Sequence, residues 1–211
     1  MIAYFGGGRR IFGFANSMKM LLKQKPLNEI ERCAQAVKKC IRDVEDFPIP
    51  GVTFKDLGPL WADPKLSGQA IDAMVQMVEM EQGIPDCVVG IESRGFIFGL
   101  AMAQRWNVPF VPFRKPGKLP GELKRVAYAL EYGTAELECQ VNAIKPGMRV
   151  LVHDDVFATG GTARAAMQLV QSCGAELSGC SFILSLDGLN GSEDWPLPLV
   201  MKTCLSLVHF E

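Results

Sequence analysis

After Gly83 the chain alternates short apolar runs with helical stretches, and this alternation narrows the possible folds more than any other feature of the sequence. The runs are Asp86-Cys-Val-Val-Gly-Ile-Glu92, Val108 to Phe113, Arg149-Val-Leu-Val-His-Asp154 and Glu176 to Leu186. Apolar on successive residues rather than on alternate ones, they must be buried on both faces, which is the pattern of parallel strands covered by helices. Helices fit between them at Gly95 to Trp106 and at Thr162 to Cys173, the second closed by Gly174. The expected architecture is α/β, with a central, mainly parallel sheet flanked by helices.

Ahead of the sheet, Leu27, Ile30, Cys33, Ala34, Val37, Ile41 and Val44 recur at intervals of three and four. This spacing predicts an amphipathic helix from Leu27 to Val44. It runs into the turn-rich Asp46-Phe-Pro-Ile-Pro-Gly51. A second helix is predicted from Pro64 to about Gln82, with a stripe that includes Met74, Met77 and Met80 as core filling. Val126 to Glu131 and Glu136 to Val141 flank Tyr132-Gly133-Thr134 as an inserted β-hairpin, and Leu199 to Leu207 is a last strand. Residues 26–211 read as one domain.

Residues 1–25 carry Arg9, Arg10, Lys19, Lys23 and Lys25 but no acid. That make-up is compatible with organelle targeting, but Ser is sparse and a secretory apolar region is missing, so a loosely ordered extension is expected. The seven Cys are odd in number, form no C-x-x-C pair and mostly lie in apolar runs, which points to a reducing compartment and a cytoplasmic location. With two His and no zinc-type spacing, no protein-built metal site is expected. No apolar run approaches the roughly 20 residues needed to span a bilayer. The formal net charge of -1 supplies no field for non-specific nucleic-acid binding.

The chemistry concentrates in Val150-Leu-Val-His-Asp-Asp-Val-Phe-Ala-Thr-Gly-Gly-Thr-Ala163. A hydrophobic strand delivers Asp154 and Asp155 to the end of the sheet where ligands bind. Ala158-Thr159-Gly160-Gly161-Thr162 then leads directly into a helix. The glycines admit a phosphate close to the backbone, the amides form an anion nest, and the helix dipole favours negative charge. Two acids beside a phosphate loop would repel the phosphate itself, but they suit a pair of vicinal hydroxyls. A sugar phosphate is the ligand that satisfies both halves. A Rossmann fingerprint and a Walker A loop both fail on spacing. A plain βα turn with an N-cap threonine explains the glycines but leaves the acid pair without a purpose.

This segment resembles the phosphoribosyl pyrophosphate (PRPP) signature of type I phosphoribosyltransferases. Four further segments resemble the adenine phosphoribosyltransferase branch: Phe47-Pro-Ile-Pro-Gly-Val-Thr-Phe-Lys-Asp56, Gly90-Ile-Glu-Ser-Arg-Gly-Phe96, Arg114-Lys-Pro-Gly-Lys-Leu-Pro-Gly121 and Leu130-Glu-Tyr-Gly-Thr-Ala-Glu-Leu-Glu138. The likeness runs over roughly residues 28 to 190 in the family's order. Ala158 stands where hypoxanthine-guanine relatives carry an acid, which favours the adenine branch.

The resemblance implies a type I fold with a small N-terminal hood and the reaction adenine plus PRPP to AMP plus pyrophosphate. It also implies Mg²⁺ held through PRPP and water and a homodimer. It assigns PRPP to Asp154, Asp155, Ala158, Thr159, Gly160, Gly161 and Thr162. Pyrophosphate falls to Arg94 after the first strand and to the cationic loop of Arg114, Lys115 and Lys118, the loop acting in its own or the partner subunit. Glu92-Ser93 matches a cis non-proline bond of the family. Phe54 and Leu186 would sandwich adenine, the backbones of Thr53 and Lys55 would read its edge, Glu131 would handle its proton and Tyr132 would seal the pocket. Lys55 replaces a common Arg, and His153 replaces an apolar residue and is given no catalytic role. Two other readings share these residues: a phosphoribosyltransferase for another purine, and a PRPP-sensing regulator without turnover. Retention of Glu131, Tyr132, Arg94 and Phe54 argues against the regulator.

Overall fold

The computed structural model describes residues 27–129, 134–189 and 204–211. The expected extension over residues 1–25 lies outside them.

Helix α1 occupies residues 27–40, shorter than the periodicity suggests. The residues that would have been its last turn form strand β1 (Arg42–Val44), antiparallel to β2 (Phe54–Asp56). Charge pairing explains the difference. Arg42 faces Asp56 and Asp43 faces Lys55 across the ladder, with nitrogen-to-oxygen distances of 2.6 and 2.8 Å, and directly opposed opposite charges favour a strand pair. The intervening turn holds Asp46 at φ 55° and a cis Phe47-Pro48 bond. This hairpin is the hood.

Helix α2 (Gly58–Ala62) precedes α3 (Pro64–Glu81). The Asp63 carboxylate caps α3 by accepting from the Lys65 and Leu66 amides at 3.0 and 2.9 Å. There follow β3 (Cys87–Ile91), α4 (Gly95–Trp106), β4 (Phe110–Phe113), β5 (Leu123–Ala129), β6 (Thr134–Gln140), β7 (Arg149–Phe157), α5 (Gly161–Ser172), β8 (Glu176–Leu186) and β9 (Cys204–Phe210). The four apolar runs and the helices between them therefore fall where the alternation places them. The last strand is described from Cys204 onward, so residues 199–203 of the expected strand lie outside the described part.

The main sheet has the order β4-β3-β7-β8-β9, and its neighbouring strands are parallel throughout. The chain leaves β3 toward β4 on one side and leaves β7 toward β8 on the other. The gap between the carboxyl ends of β3 and β7 is thus a topological switch point, where an open α/β sheet leaves a crevice for ligands. Two apolar clusters cover the sheet. One packs Ala165, Ala166, Leu169 and Val170 of α5 against Val150, Val152 and Phe182; the other packs α1, α3 and α4 through Val37, Met74 and Phe98 against Leu151 and Ile183.

Glycine sets how closely α4 approaches the sheet. A Cβ on Gly95 would lie 2.7 Å from the His153 carbonyl and 3.0 Å from Asp154 Oδ1, and one on Gly90 would lie 2.7 Å from the Phe110 ring. Larger residues there would push the helix off β7 and away from the acid pair. Strands β5 and β6 form a separate two-stranded sheet, the expected inserted hairpin, tied to the chain after β4 by an Arg114–Glu138 bridge. Its tip, residues 130–133, lies outside the described residues.

Candidate active site

The crevice at the switch point is built from four segments. From β3 comes the turn Glu92-Ser93-Arg94, with the Glu92-Ser93 bond cis, leading into α4 at Gly95. From β7 come Asp154, Asp155 and the loop to α5. From the hood comes Phe54, and from the end of β4 the loop of residues 114–118.

Asp154 and Asp155 lie inside β7 rather than at its tip, because pairing with β8 continues to Phe157 opposite Ser185. On the other side, pairing with β3 stops at Gly90 opposite His153. The two acids therefore emerge into the crevice on the side where the sheet has opened. Asp155 is buried and Asp154 half-buried. Asp154 Oδ1 accepts from the Asp155 amide at 2.9 Å. Burial and then the Asp155 charge push the Asp154 carboxyl well above the usual carboxylate range. Burial also raises Asp155, against the pull of Arg94, whose Nε lies 2.9 Å from Asp155 Oδ2.

Beyond the acids the chain forms a pocket of about 90 Å³ lined by Asp154, Ala158, Thr159, Gly160, Gly161 and Thr162. Gly160 adopts φ 79° at the start of α5, and no side chain caps that helix. A threonine N-cap is therefore not what the loop provides. A left-handed glycine followed by uncapped first-turn amides is an anion-binding arrangement.

Arg94 connects the acid pair to the hood. While its Nε is paired with Asp155, its guanidinium carbon lies 5.3 Å from the centroid of the Phe54 ring. Phe54 in turn meets Phe47 edge-on at 5.2 Å. The Lys55 ammonium turns away from the crevice, 2.8 Å from both oxygens of Asp43 and 4.4 Å from the Phe210 ring centroid. Its main chain remains in β2 beside exposed Thr53. Phe210 is the β9 partner of Leu186 at the end of β8, so the hood is fastened to the strand ends that carry Leu186.

In the cationic loop the three basic residues differ. The Arg114 guanidinium is held by Glu92 at 3.2 and 3.4 Å, and Glu92 also accepts from the Lys115 amide at 2.8 Å. Burial alone would raise the Glu92 carboxyl, but the Lys115 N–H and Arg114 outweigh it and hold it below the ordinary glutamate range. Lys115 and Lys118 are exposed; the charge of Lys115 acts on Glu92, and among the described residues neither lysine is tied into a salt bridge as Arg114 is. Sequence reasoning gave Glu92 no role beyond its cis bond; a carboxylate directly after the end of β3 carries no local mark of a contact 22 residues on. Glu131 and Tyr132 lie outside the described residues.

His153 is buried, its Nδ1 2.9 Å from Ser181 Oγ. Burial pushes its pKa down to about 3, so it stays neutral beneath the acid pair.

Residues 62–195 match the phosphoribosyl transferase domain family. An adenine phosphoribosyltransferase of Sorangium cellulosum is 52% identical over 161 residues, covering 76% of this chain and 80% of that protein. Among solved structures, the adenine phosphoribosyltransferase of Rhodothermus marinus is 44% identical with a TM-score of 0.76, covering 85% of this chain and 99% of that one. The Saccharomyces cerevisiae adenine phosphoribosyltransferase, complexed with an imino-altritol bisphosphate and adenine, is 41% identical with a TM-score of 0.73, covering 75% and 91%. Likeness of this extent, over a sheet whose switch point holds the acid pair and phosphate loop, shows that the chain belongs to the phosphoribosyltransferase family and is an enzyme of its adenine phosphoribosyltransferase branch.

Proposed function

We propose that the crevice between β3 and β7 carries out the reaction adenine plus PRPP to AMP plus pyrophosphate, with the roles divided among the residues above. The observation that carries this reading is the junction of an acid pair, an uncapped glycine loop and an aromatic ring through one arginine, Arg94.

The 5-phosphate of PRPP occupies the loop Ala158–Thr162, and the ribose hydroxyls donate to Asp154 and Asp155. Loss of pyrophosphate places negative charge on the leaving group and cationic character on the anomeric carbon. Arg94, Lys115 and Lys118 meet the first, while Arg114 holds the loop through Glu92. Adenine stacks on Phe54, with Leu186 on its other face and the Thr53 and Lys55 main chains at its edge. The attacking nitrogen must shed a proton, which Glu131 takes, and Tyr132 helps exclude water.

Among the described residues no cluster of three or more His, Cys, Asp or Glu converges, and Asp155 is committed to Arg94. This donor set fits Mg²⁺ held through PRPP oxygens and water. The ion would neutralise pyrophosphate charge. The exposed α4 side chains Ile97 and Leu100, beside Phe96 and Phe110 packed edge-on at 6.0 Å, support a homodimer formed on this face. No helix among the described residues is long and apolar enough to cross a membrane, and every described cysteine is free, which supports a reducing, cytoplasmic setting.

The division of labour is tested by comparing Glu131→Gln with Asp154→Asn. Glu131→Gln is expected to lower turnover by about 10²-fold, the range of a general acid-base contribution, with PRPP binding retained. Asp154→Asn is expected chiefly to weaken PRPP. Equal losses of turnover in both, with PRPP affinity unchanged, would overturn the assignment.

A further inference from the structure

Glu138 is fully buried yet plays no part in the chemistry above. Its neighbours Leu137 and Cys139 point into the cluster beneath α5, so strand alternation sends Glu138 to the opposite face, toward the loop of residues 114–118. There Oε2 accepts from the Gly117 amide at 3.2 Å and Oε1 lies 2.7 Å from Arg125 Nε. The backbones of Glu138 and Arg114 exchange bonds of 2.9 and 2.7 Å. Gly117 adopts φ 77°, a conformation open to glycine.

We propose that Glu138, with Arg125, is a positioning residue for the pyrophosphate-binding loop, fixing the backbone from which Lys115 and Lys118 project. The proposal rests on the reading that these lysines bind pyrophosphate. From one side Glu138 secures Arg114 and Gly117; from the other, Glu92 secures Arg114 and Lys115. The Arg114 guanidinium closes the loop on the Lys118 carbonyl at 3.4 Å. A carboxylate sealed from water is costly unless paired and hydrogen-bonded; here Arg125 pairs it across the hairpin and the hydrogen bond from Gly117 is one that shapes the loop. Fixing the backbone removes ordering that the two flexible lysines would otherwise undergo on binding the leaving group.

The test measures KM for PRPP, KM for adenine and kcat, together with calorimetric binding of inorganic pyrophosphate with Mg²⁺. Glu138→Leu cannot accept from Gly117, and an increase in KM for PRPP of about ten-fold is expected, the loss of one charge-assisted bond. KM for adenine should stay within about two-fold, and Glu138→Gln, which keeps an acceptor for the same amide, should recover most of the PRPP affinity. Arg125 is largely exposed, so Arg125→Met keeps the question open to test even where Glu138→Leu does not fold; a rise of about three-fold in the same constant alone is expected. Unchanged KM for PRPP in Arg125→Met and in folded Glu138→Leu, or equal shifts in both substrates, would overturn the proposal. Absence of pyrophosphate binding by the unaltered protein would instead remove the lysine reading on which it rests.

Discussion

Arg94 lies between Asp155 and Phe54, its Nε 2.9 Å from the buried carboxylate and its guanidinium 5.3 Å from the ring centroid. One side chain thus touches both the acid pair and the hood ring, the ends of the crevice proposed for ribose and base. Removing it would take from Asp155 the cation that opposes the effect of burial on its carboxyl, and would take a cation from the proposed leaving-group site. We expect Arg94→Ala to lower kcat/KM for PRPP by at least about 10²-fold, the scale of a lost electrostatic donor. Arg94→Lys should recover only part of this, because an ammonium cannot pair with Asp155 and stack on Phe54 in the same way. Steady-state kinetics of the two variants would show it; full activity in Arg94→Lys would mean that charge alone suffices.

The raised carboxyl of Asp154 sets a direction for pH dependence. The ionised form accepts more strongly from a ribose hydroxyl than the neutral acid, one of whose oxygens has become a donor. Because its folded-state pKa lies above the ordinary value, protonation begins at a higher pH than for a free aspartate, about 4. KM for PRPP should therefore rise as the solution is acidified, starting above that pH. The Asp154→Asn variant should bind more weakly overall and show a flatter profile. Parallel pH profiles of KM in the two proteins would contradict the assignment.

His153 provides a stability signature separate from catalysis. Its pKa is pushed down to about 3 in the fold, against about 6.5 in the unfolded chain. The unfolded state binds the proton first, so the contribution of neutral His153 is fully present above pH 6.5 and is lost as pH falls toward the folded value. The loss is about 1.4 kcal/mol per pH unit below 6.5. Asp154 and Asp155, with raised folded values, act in the opposite sense on acidification, so the difference between proteins isolates the histidine. Urea unfolding at pH 5 and pH 7.5 should show His153→Leu gaining on the unaltered protein at the lower pH. An equal difference at both pH values would mean that His153 is not buried neutral.

The parts of the site that were legible in the sequence are those encoded by neighbours in the chain. Val150 to Ala163 carries strand, acids, glycines and helix start in one stretch, and apolar runs mark β3, β7 and β8 because parallel strands are buried on both faces. The hood strand β1 was not legible: Arg42–Val44 continues the helical period of α1, and only the charges of Asp56 and Lys55 across the ladder draw it into a strand. The placement of the acids was offset for a similar reason. Apolar character ends at His153, but pairing with β8 carries β7 on to Phe157. Glu92 and Glu138 look like ordinary surface glutamates in the sequence, and their contacts to the loop after β4, 21 to 23 residues away, exist only once β3 and the hairpin have each come up against that loop.

The most direct measurement is the initial rate of nucleotide formation by the purified protein with PRPP and Mg²⁺ against adenine, hypoxanthine, guanine and xanthine. We expect AMP and pyrophosphate from adenine, with kcat/KM for each other base lower by at least about 10²-fold, since mismatched edge donors and acceptors would be left unpaired in the pocket. Comparable rates with hypoxanthine or guanine, or tight PRPP binding with no base converted, would contradict an adenine-specific transferase built on Arg94, Phe54 and the Asp154–Asp155 pair.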